Sequence, residues 1–362
     1  MKKTETISIL QASMIIITAI GILDHVIVIP ILLQTAGRDS WISVLFSGIL
    51  LLAWIPLIFF IMKGSGQQHL FLWLKQLLGP IFAYLIILII LIEMFLMCAT
   101  TIRDVTYWTN ITYLPNTPNL VLVFCFSLVS FYIVHSGLRS IAIVNGILLP
   151  LVIVFGFIVM ASNFPHKDYS MLFPLFEHGS ESVLKGMMYA GSGFVGIFYF
   201  VFMQHRIQSK IRFFPLLITG MMLVELTLGP LTGAIAIFGP YEAARMRFPA
   251  FEQWRLVTFK HFIEHVDFLS IYQWIVGSFI RVSFGMFLIP ELLNIPKSKK
   301  RTGYLIVLFV LLIAISQVPI SDKTFMILLS KVYLPYILLL ILLLSALLAS
   351  TAWIQTKKKV ES

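Results

Sequence analysis

Charged residues are scarce in this 362-residue chain. Asp, Glu, Lys and Arg together make up 12% of it, against roughly 25% in an average soluble domain. Too few polar side chains exist to cover a globular surface, so lipid must cover it instead. Cysteine is nearly absent: Cys98 and Cys125 are the two, each inside an apolar run, which gives no basis for a disulfide framework or a CxxC redox site. The motifs of soluble catalysis are missing as well. There is no GxxxxGK phosphate loop, no HExxH, no GxSxG and no Cys/His metal spacing, and His135, His166, His178 and His205 are scattered. The expectation is a protein that is not an enzyme and uses neither cofactor nor metal. No hydrophilic domain, low-complexity tail or inter-domain linker interrupts the chain. The net charge of +10 does not signal nucleic acid, because most of the cations lie in short connections between apolar runs, where they set topology and meet anionic lipid.

What the chain has is hydrophobicity. Apolar residues make up 59% of it, 31 of them Phe, and the mean hydropathy is +0.97. About 20 helical residues cross a hydrocarbon core of about 30 Å. Ten segments meet that length: 8–33, 41–61, 80–102, 119–135, 139–162, 184–205, 213–238, 268–290, 303–320 and 333–354. The apolar stretch after Met1-Lys2-Lys3 runs to Pro30 without a small-x-small cleavage site, so it reads as a retained first helix. The fold class expected is an all-α integral membrane protein in a single polytopic domain, with repeats of roughly 8–162 and 184–354.

Ten crossings place Lys2, Lys3, Lys63, Lys75, Arg139, Arg206, Lys210, Arg212, Lys297, Lys299, Lys300, Arg301 and Lys357–Lys359 on one side. That is fifteen of the 26 Lys and Arg, which assigns this side and both termini to the cytoplasm. On the other side, residues 239–267 form the longest polar connection. Leu256, Phe259, Phe262, Ile263 and Val266 recur there at a spacing that predicts a surface-lying helix. Residues 163–182, rich in Pro, acids and Phe, form a second outer stretch. Each is a candidate lid or partner surface, or simply an ordered loop.

Two segments carry breaking residues. The first has Gly21-Ile22-Leu23-Asp24-His25 near its middle and Pro30 beyond; the sixth has Gly191-Ser192-Gly193 and then Gly196. First and sixth are corresponding positions of two five-helix halves, and paired interruptions of this kind mark an inverted-repeat transporter fold with its site at the midplane. Half-helix termini there suit a carboxylate at an N-terminal end and an ammonium or cation at open carbonyls. The other reading of GSG is a close-packing face. Ionisable residues at membrane depth are the second clue, because a lone charge there needs a partner or a water-filled cavity. These are Asp24, His25, Glu93, Glu225 and Arg281. An ion pair between Glu93 and Arg281 is expected across the third and eighth helices. Each charge is also open to a purely structural role, and His25 to packing alone.

Several longer stretches then carry a resemblance over nearly the whole chain. They are HVIVIP (25–30), AGRDSWIS (36–43), Arg103 ahead of Leu-Pro-Asn-Thr-Pro (114–118), FPLFEHG (173–179) before the Gly-broken helix, and RFPAFEQWRLVTFKHFIEHVDFLSIYQW (247–274). The chain resembles the B subunits of bacterial spore germinant receptors, the GerAB-like spore germination proteins, relatives of the amino acid–polyamine–organocation transporters. The resemblance implies a ten-helix LeuT-like 5+5 inverted repeat with broken helices 1 and 6, in the inner membrane of dormant endospores. It implies binding of a small nutrient, typically an amino acid and in some receptors a sugar or nucleoside, and work with a larger membrane A subunit and a lipoprotein C subunit. Ligand contacts in the related transporters come from helices 1, 3, 6 and 8. Carried onto this chain, they fall at Gly21, Ile22 and Leu23; Met97 and Thr101; Tyr189, Gly191, Ser192 and Gly193; and Ser283 and Phe284. The Asp24-His25 pair departs from simple identity with alanine-type receptors. Nutrient receptor and secondary transporter, the latter proton-coupled through Asp24, Glu93 or Glu225, need the same pocket, so the residues alone leave both open.

Overall fold

The computed structural model describes residues 6–257 and 266–361. The chain enters the membrane region through a helix started by a capping box: Ser8 accepts from the Gln11 amide at 3.1 Å while the Gln11 side chain accepts from the Ser8 amide at 3.0 Å, satisfying two of the donors a helix start leaves open. Helix α1 (Ile9–Ile22) runs into a π-helical turn (Leu23–Ile27) and continues as α2 (Val28–Ala36). Gly37, at φ +51°, then reverses the chain into α3 (Ser40–Gly64). A positive φ is open to glycine at little steric cost.

After a short α4 (Leu70–Leu78) come α5 (Pro80–Thr112), α6 (Asn119–Ser136) and α7 (Leu138–Ser162). The outer connection 163–178 contains two 3₁₀ turns and leads to α8 (Gly179–Phe194), a 3₁₀ turn (Val195–Phe198) and α9 (Tyr199–Met203). The second half continues with α10 (Phe213–Arg245), α11 (Pro249–Arg255), α12 (Leu269–Leu292), α13 (Lys299–Ser316), α14 (Asp322–Leu328), a π turn (Leu329–Tyr333) and α15 (Leu334–Glu361).

Among the described residues, eight stretches are long and apolar enough to cross a membrane. The first of them, Ile9–Gly64, spans 56 residues and holds two crossings folded back at Gly37. α13, which opens on Lys299, Lys300 and Arg301, lies outside those eight. With the first span counted twice and α13 added, the described residues hold the ten crossings expected, and their architecture is all-helical.

Burial sorts the spans into centre and periphery. The α8–α9 span and α12 have 78% and 83% of their apolar windows buried, against 22% in α6 and in α7. α12 packs against α5, α1 and α7, and α8 packs against α3, α2 and α15. Of the helices singled out for breaks and charges, the Gly-broken sixth and the Arg281-bearing eighth are therefore the ones that others surround, while the spans of Asp24, Glu93 and Glu225 have 39% of their windows buried. The surface helix expected over 256–266 falls mostly on residues 258–265, outside the described residues. Its flanks close a small apolar cluster in which Trp254, Val257 and Val266 pack on Phe155, Val159 and Leu269.

Candidate functional site

The interruptions lie where the breaking residues sit, and each keeps backbone hydrogen bonds. In the first, the Val28 amide donates to the Leu23 carbonyl. In the sixth, Gly191–Gly193 are still α-helical and the geometry tightens one turn later, where the Val195 amide donates to the Gly191 and Gly193 carbonyls. π insertions of this kind occur mostly at functional sites, because the extra residue re-aims its neighbours. The residue re-aimed here is Asp24, and the polar handle on offer is its side chain more than a run of bare peptide.

Asp24 is 1% exposed, and neither carboxylate oxygen has a hydrogen-bond partner. It lies hard against Gly193: a Cβ built there would stand 1.7 Å from Asp24 Oδ1. One turn on, a Cβ at Gly196 would stand 2.3 Å from Ile20. The glycines of the sixth span thus give α8 its close approach to α1, and that approach seats the acid against α8. Gly191 differs, since a Cβ there meets only Leu338 at 3.5 Å. Gly193→Ala is therefore expected to destabilise the protein by ~1–3 kcal/mol through overpacking. Gly191→Ala should lie within about 0.5 kcal/mol of the parent, and thermal unfolding of the purified protein in detergent separates the two.

Arg281 of α12 is the cation whose field reaches both Asp24 and Glu93, but it does not pair directly with Glu93 as their shared membrane depth suggested. Its Nε donates to Thr101 Oγ1 at 3.0 Å and its Nη1 to the Ala19 carbonyl at 2.7 Å, so one side chain ties α12 to α5 and α1. Glu93 Oε1 instead accepts from the Tyr199 hydroxyl at 2.8 Å, while Oε2 is buried without a partner. The Tyr333 hydroxyl lies beside both Glu93 and Arg281 without a hydrogen bond of good geometry to either, and Ser283 Oγ is buried and unpartnered. At mid-span the core holds two carboxylates and one guanidinium, surrounded by hydroxyls with spare hydrogen-bonding capacity.

The other sequence candidates divide. Met97 and Phe284 are fully buried beside this group, the Phe284 ring 6.3 Å from that of Tyr199. Ile22 packs on Gly277, and Leu23 is buried. Ser192 is consumed structurally, donating to the carbonyls of Met188 and Leu334. Tyr189 and Gly191 are only half-buried. Gly21 and His25 turn toward α10, with His25 Nδ1 donating to the Leu226 carbonyl at 3.2 Å. Glu225 leaves the group altogether, because it is exposed on the outside of α10.

Two ionic clusters missed in the sequence close the ends of the bundle. At the end expected to face the cytoplasm, Glu291 receives Arg206 Nη2 at 2.5 Å, His205 Nε2 at 2.8 Å and Arg301 Nη1 at 2.9 Å, while His69 Nε2 donates to the Glu291 carbonyl at 2.8 Å. His69, His205 and Glu291 bring their ligating atoms within 4.8 Å of one another. Two guanidinium groups already neutralise that carboxylate, so the arrangement suits an ionic lock better than a metal. Beside it, Ile7 and Ile207 form a backbone bridge. At the outer end, Arg247 holds Asp104 at 2.6 Å and Asp322 at 3.0 Å, and Arg103 donates to the carbonyls of Val318 and Ile320.

Burial, and next the adjoining His205 ring, lowers His69 from the ordinary imidazole value of 6.5. A depressed folded value means that the unfolded chain binds the proton more readily. Its contribution is complete above about pH 6.5 and is lost as the pH falls. Stability of the purified protein is expected to decline on acidification below pH 6.5, and to decline less in His69→Gln.

A cavity of about 350 Å³ opens at the outer surface between Gln34, Arg38, Glu177, His178, Tyr241 and Arg245. Its charges are already paired, Arg38 with Glu177 and Arg245 with Glu242, both at 3.0 Å. The buried carboxylate oxygens without a partner lie in the core instead, and the candidate site is placed there.

Residues 6–325 match a family model described as spore germination protein. The chain is 42% identical over 353 residues to spore germination protein XB of Bacillus anthracis, covering 98% of this chain and 99% of that protein. It is 26% identical over 267 residues to spore germination protein GerQB of Bacillus cereus, 70% of each. Among solved structures it is similar to MhsT, determined in complex with L-phenylalanine, with a TM-score of 0.58 at 17% identity, covering 91% of this chain and 87% of that one. At that identity the likeness carries the fold, which is LeuT-like.

Proposed function

We infer the function from the family to which the chain belongs, the spore germination proteins, together with the geometry of its core. It is a multi-pass, non-enzymatic membrane protein of LeuT-like fold. The reading we put forward is a nutrient-sensing subunit of a germinant receptor in the spore inner membrane. It binds a small amine-bearing nutrient, such as an amino acid, between α1, α5, α8 and α12, and passes the event to a membrane A subunit and a lipoprotein C subunit. The observation that carries this reading is Asp24, a buried carboxylate with no partner, beside a helix interruption and close to a single arginine. Asp24, Glu93 and Arg281 give the core one cation for two acids, and a ligand ammonium beside Asp24 would hold as a carboxylate an acid that burial alone favours in the neutral form. MhsT, of the same fold, was solved with an amino acid, which supports that size and class of ligand.

Occupancy acts by favouring one arrangement of the core over another, and it shifts that balance only by the ligand's differential affinity for the two. Spores lacking this protein, in a background stripped of other receptors, are expected to lose the response to one nutrient class and to keep it when the gene is restored. Unchanged germination across a broad nutrient panel would sink the reading. A transporter uses the same pocket, and the two buried acids suit proton coupling. Uptake of labelled nutrient into proteoliposomes, abolished in Glu93→Gln, would favour transport over sensing.

A further inference from the structure

Glu225 is the charge that neither the core nor the end clusters absorb. It sits on α10 twelve residues after Phe213, about 18 Å along the axis at 1.5 Å per residue, and α10 runs a similar distance further before its break at Gly239. That is the middle of the crossing. The other mid-span charges, Asp24, Glu93 and Arg281, are buried. Glu225 is exposed, and none of the described ion pairs or hydrogen bonds reaches it. A Glu stem is too short to carry its carboxylate to either interface from that depth, as the longer stems of Lys and Arg can.

The surroundings are those of a helix-packing face. Phe214, Ile218, Met221 and Met222 are exposed on the same side at the three- and four-residue spacing of one helix stripe. One turn beyond Glu225 lies Gly229, where a Cβ would meet nothing but Glu225 Oε1, at 3.6 Å. Small residues on an outer face let a neighbouring membrane helix come close, and polar side chains on such faces hydrogen-bond across to it. Acidic residues in transmembrane segments almost always face protein, water or an opposite charge. Among the described residues, α10 offers Glu225 none of these.

We propose that the outer face of α10 around Glu225 is a docking surface for a transmembrane helix of a different chain, one that brings a basic side chain to mid-bilayer. A second copy of this chain fits poorly. A two-fold pairing through this stripe places Glu225 opposite Glu225, where like charges repel. The inference concerns assembly and stands apart from which nutrient the core binds.

The test uses the full chain in membranes of the spore-forming cell, with a photo-crosslinking residue at Met222 and, as control, at Val129 on α6. Ultraviolet light is expected to yield a protein adduct from Met222 and none from Val129. Mass spectrometry should place the joined peptide in a hydrophobic span of another protein, with Lys, Arg or His within one turn. Adding Glu225→Lys should cut the adduct at least ten-fold, while Glu225→Gln should cut it less. The proposal is overturned by an adduct with lipid alone, by a peptide from this same chain, by a partner span without a basic residue, or by an adduct that Glu225→Lys leaves unchanged. If Glu225→Lys fails to accumulate, the identity of the peptide joined to Met222 in the otherwise unaltered chain decides. A nutrient response that is lost or kept does not bear on that readout, so failure here and failure of the sensing reading remain distinct.

Discussion

Asp24→Asn is expected to raise the nutrient concentration for half-maximal germination at least about 100-fold, with the chain still present in the membrane at normal abundance. Removing one partner of a buried charge pair costs ~3–5 kcal/mol, and each 1.4 kcal/mol is a factor of ten. Asparagine keeps the size of the side chain beside Gly193, where a Cβ has no room, so the variant removes the charge with little change of packing. Asp24 has no partner within the protein, and its loss therefore leaves no native bond broken. The substitution also relieves the fold of a cost, since an uncompensated buried carboxylate is itself unfavourable. A normal dose response in this variant would remove Asp24 from ligand recognition. A loss of the protein from the membrane would give Asp24 a structural task instead. Dose–response curves and immunoblots of the same spore preparation separate these results.

Glu291→Gln is expected to act in the opposite manner, through the fold. Glu291 is 3% exposed and holds Arg206, His205 and Arg301. Neutralising it leaves two cations facing each other without an anion at the end expected to face the cytoplasm. A loss of ~3–5 kcal/mol is a large fraction of the ~5–15 kcal/mol that keeps a domain folded, so abundance in the membrane and the thermal midpoint should both fall steeply. Replacing Glu291, Arg206 and Arg301 together with Leu should recover part of the loss, because an apolar replacement of a whole buried ion-paired group is often close to neutral. A thermal midpoint in Glu291→Gln equal to the parent's would mean that the cluster does not hold the end of the bundle closed.

The helices, their number and their order were legible because a hydrocarbon core demands about 20 apolar residues for each crossing. The interruptions were legible because Gly21, Asp24, Gly193 and Gly196 are conspicuous in apolar runs. Rotation about each helix axis was not. In α10 both lipid and protein interior are apolar, so hydropathy does not distinguish the face of Leu223 and Thr227, which is buried, from the face of Met222 and Glu225, which is exposed. The same blindness produced the expected Glu93–Arg281 pair. Depth in the membrane suggested it, but the guanidinium reaches Thr101 two turns further along α5 and the Ala19 carbonyl on α1, and Tyr199 takes the carboxylate. The Glu291 cluster was hidden by distance along the chain, with His205 86 residues away and His69 222. No local spacing rule connects such residues. A signal did exist in the cations Arg206 and Arg301, which flank spans on the side that also holds Glu291, although charge bias used them only to orient the chain.

The most direct test is equilibrium binding to the purified protein in lipid nanodiscs, using an amine-bearing nutrient that triggers germination and the matched compound in which the amine is replaced by hydrogen. Saturable binding of the first, a loss of at least about 100-fold for the second, and a similar loss for the first in Asp24→Asn are the expected results. Equal affinity for both compounds, or binding that Asp24→Asn leaves unchanged, would contradict a core that grips its ligand through that carboxylate.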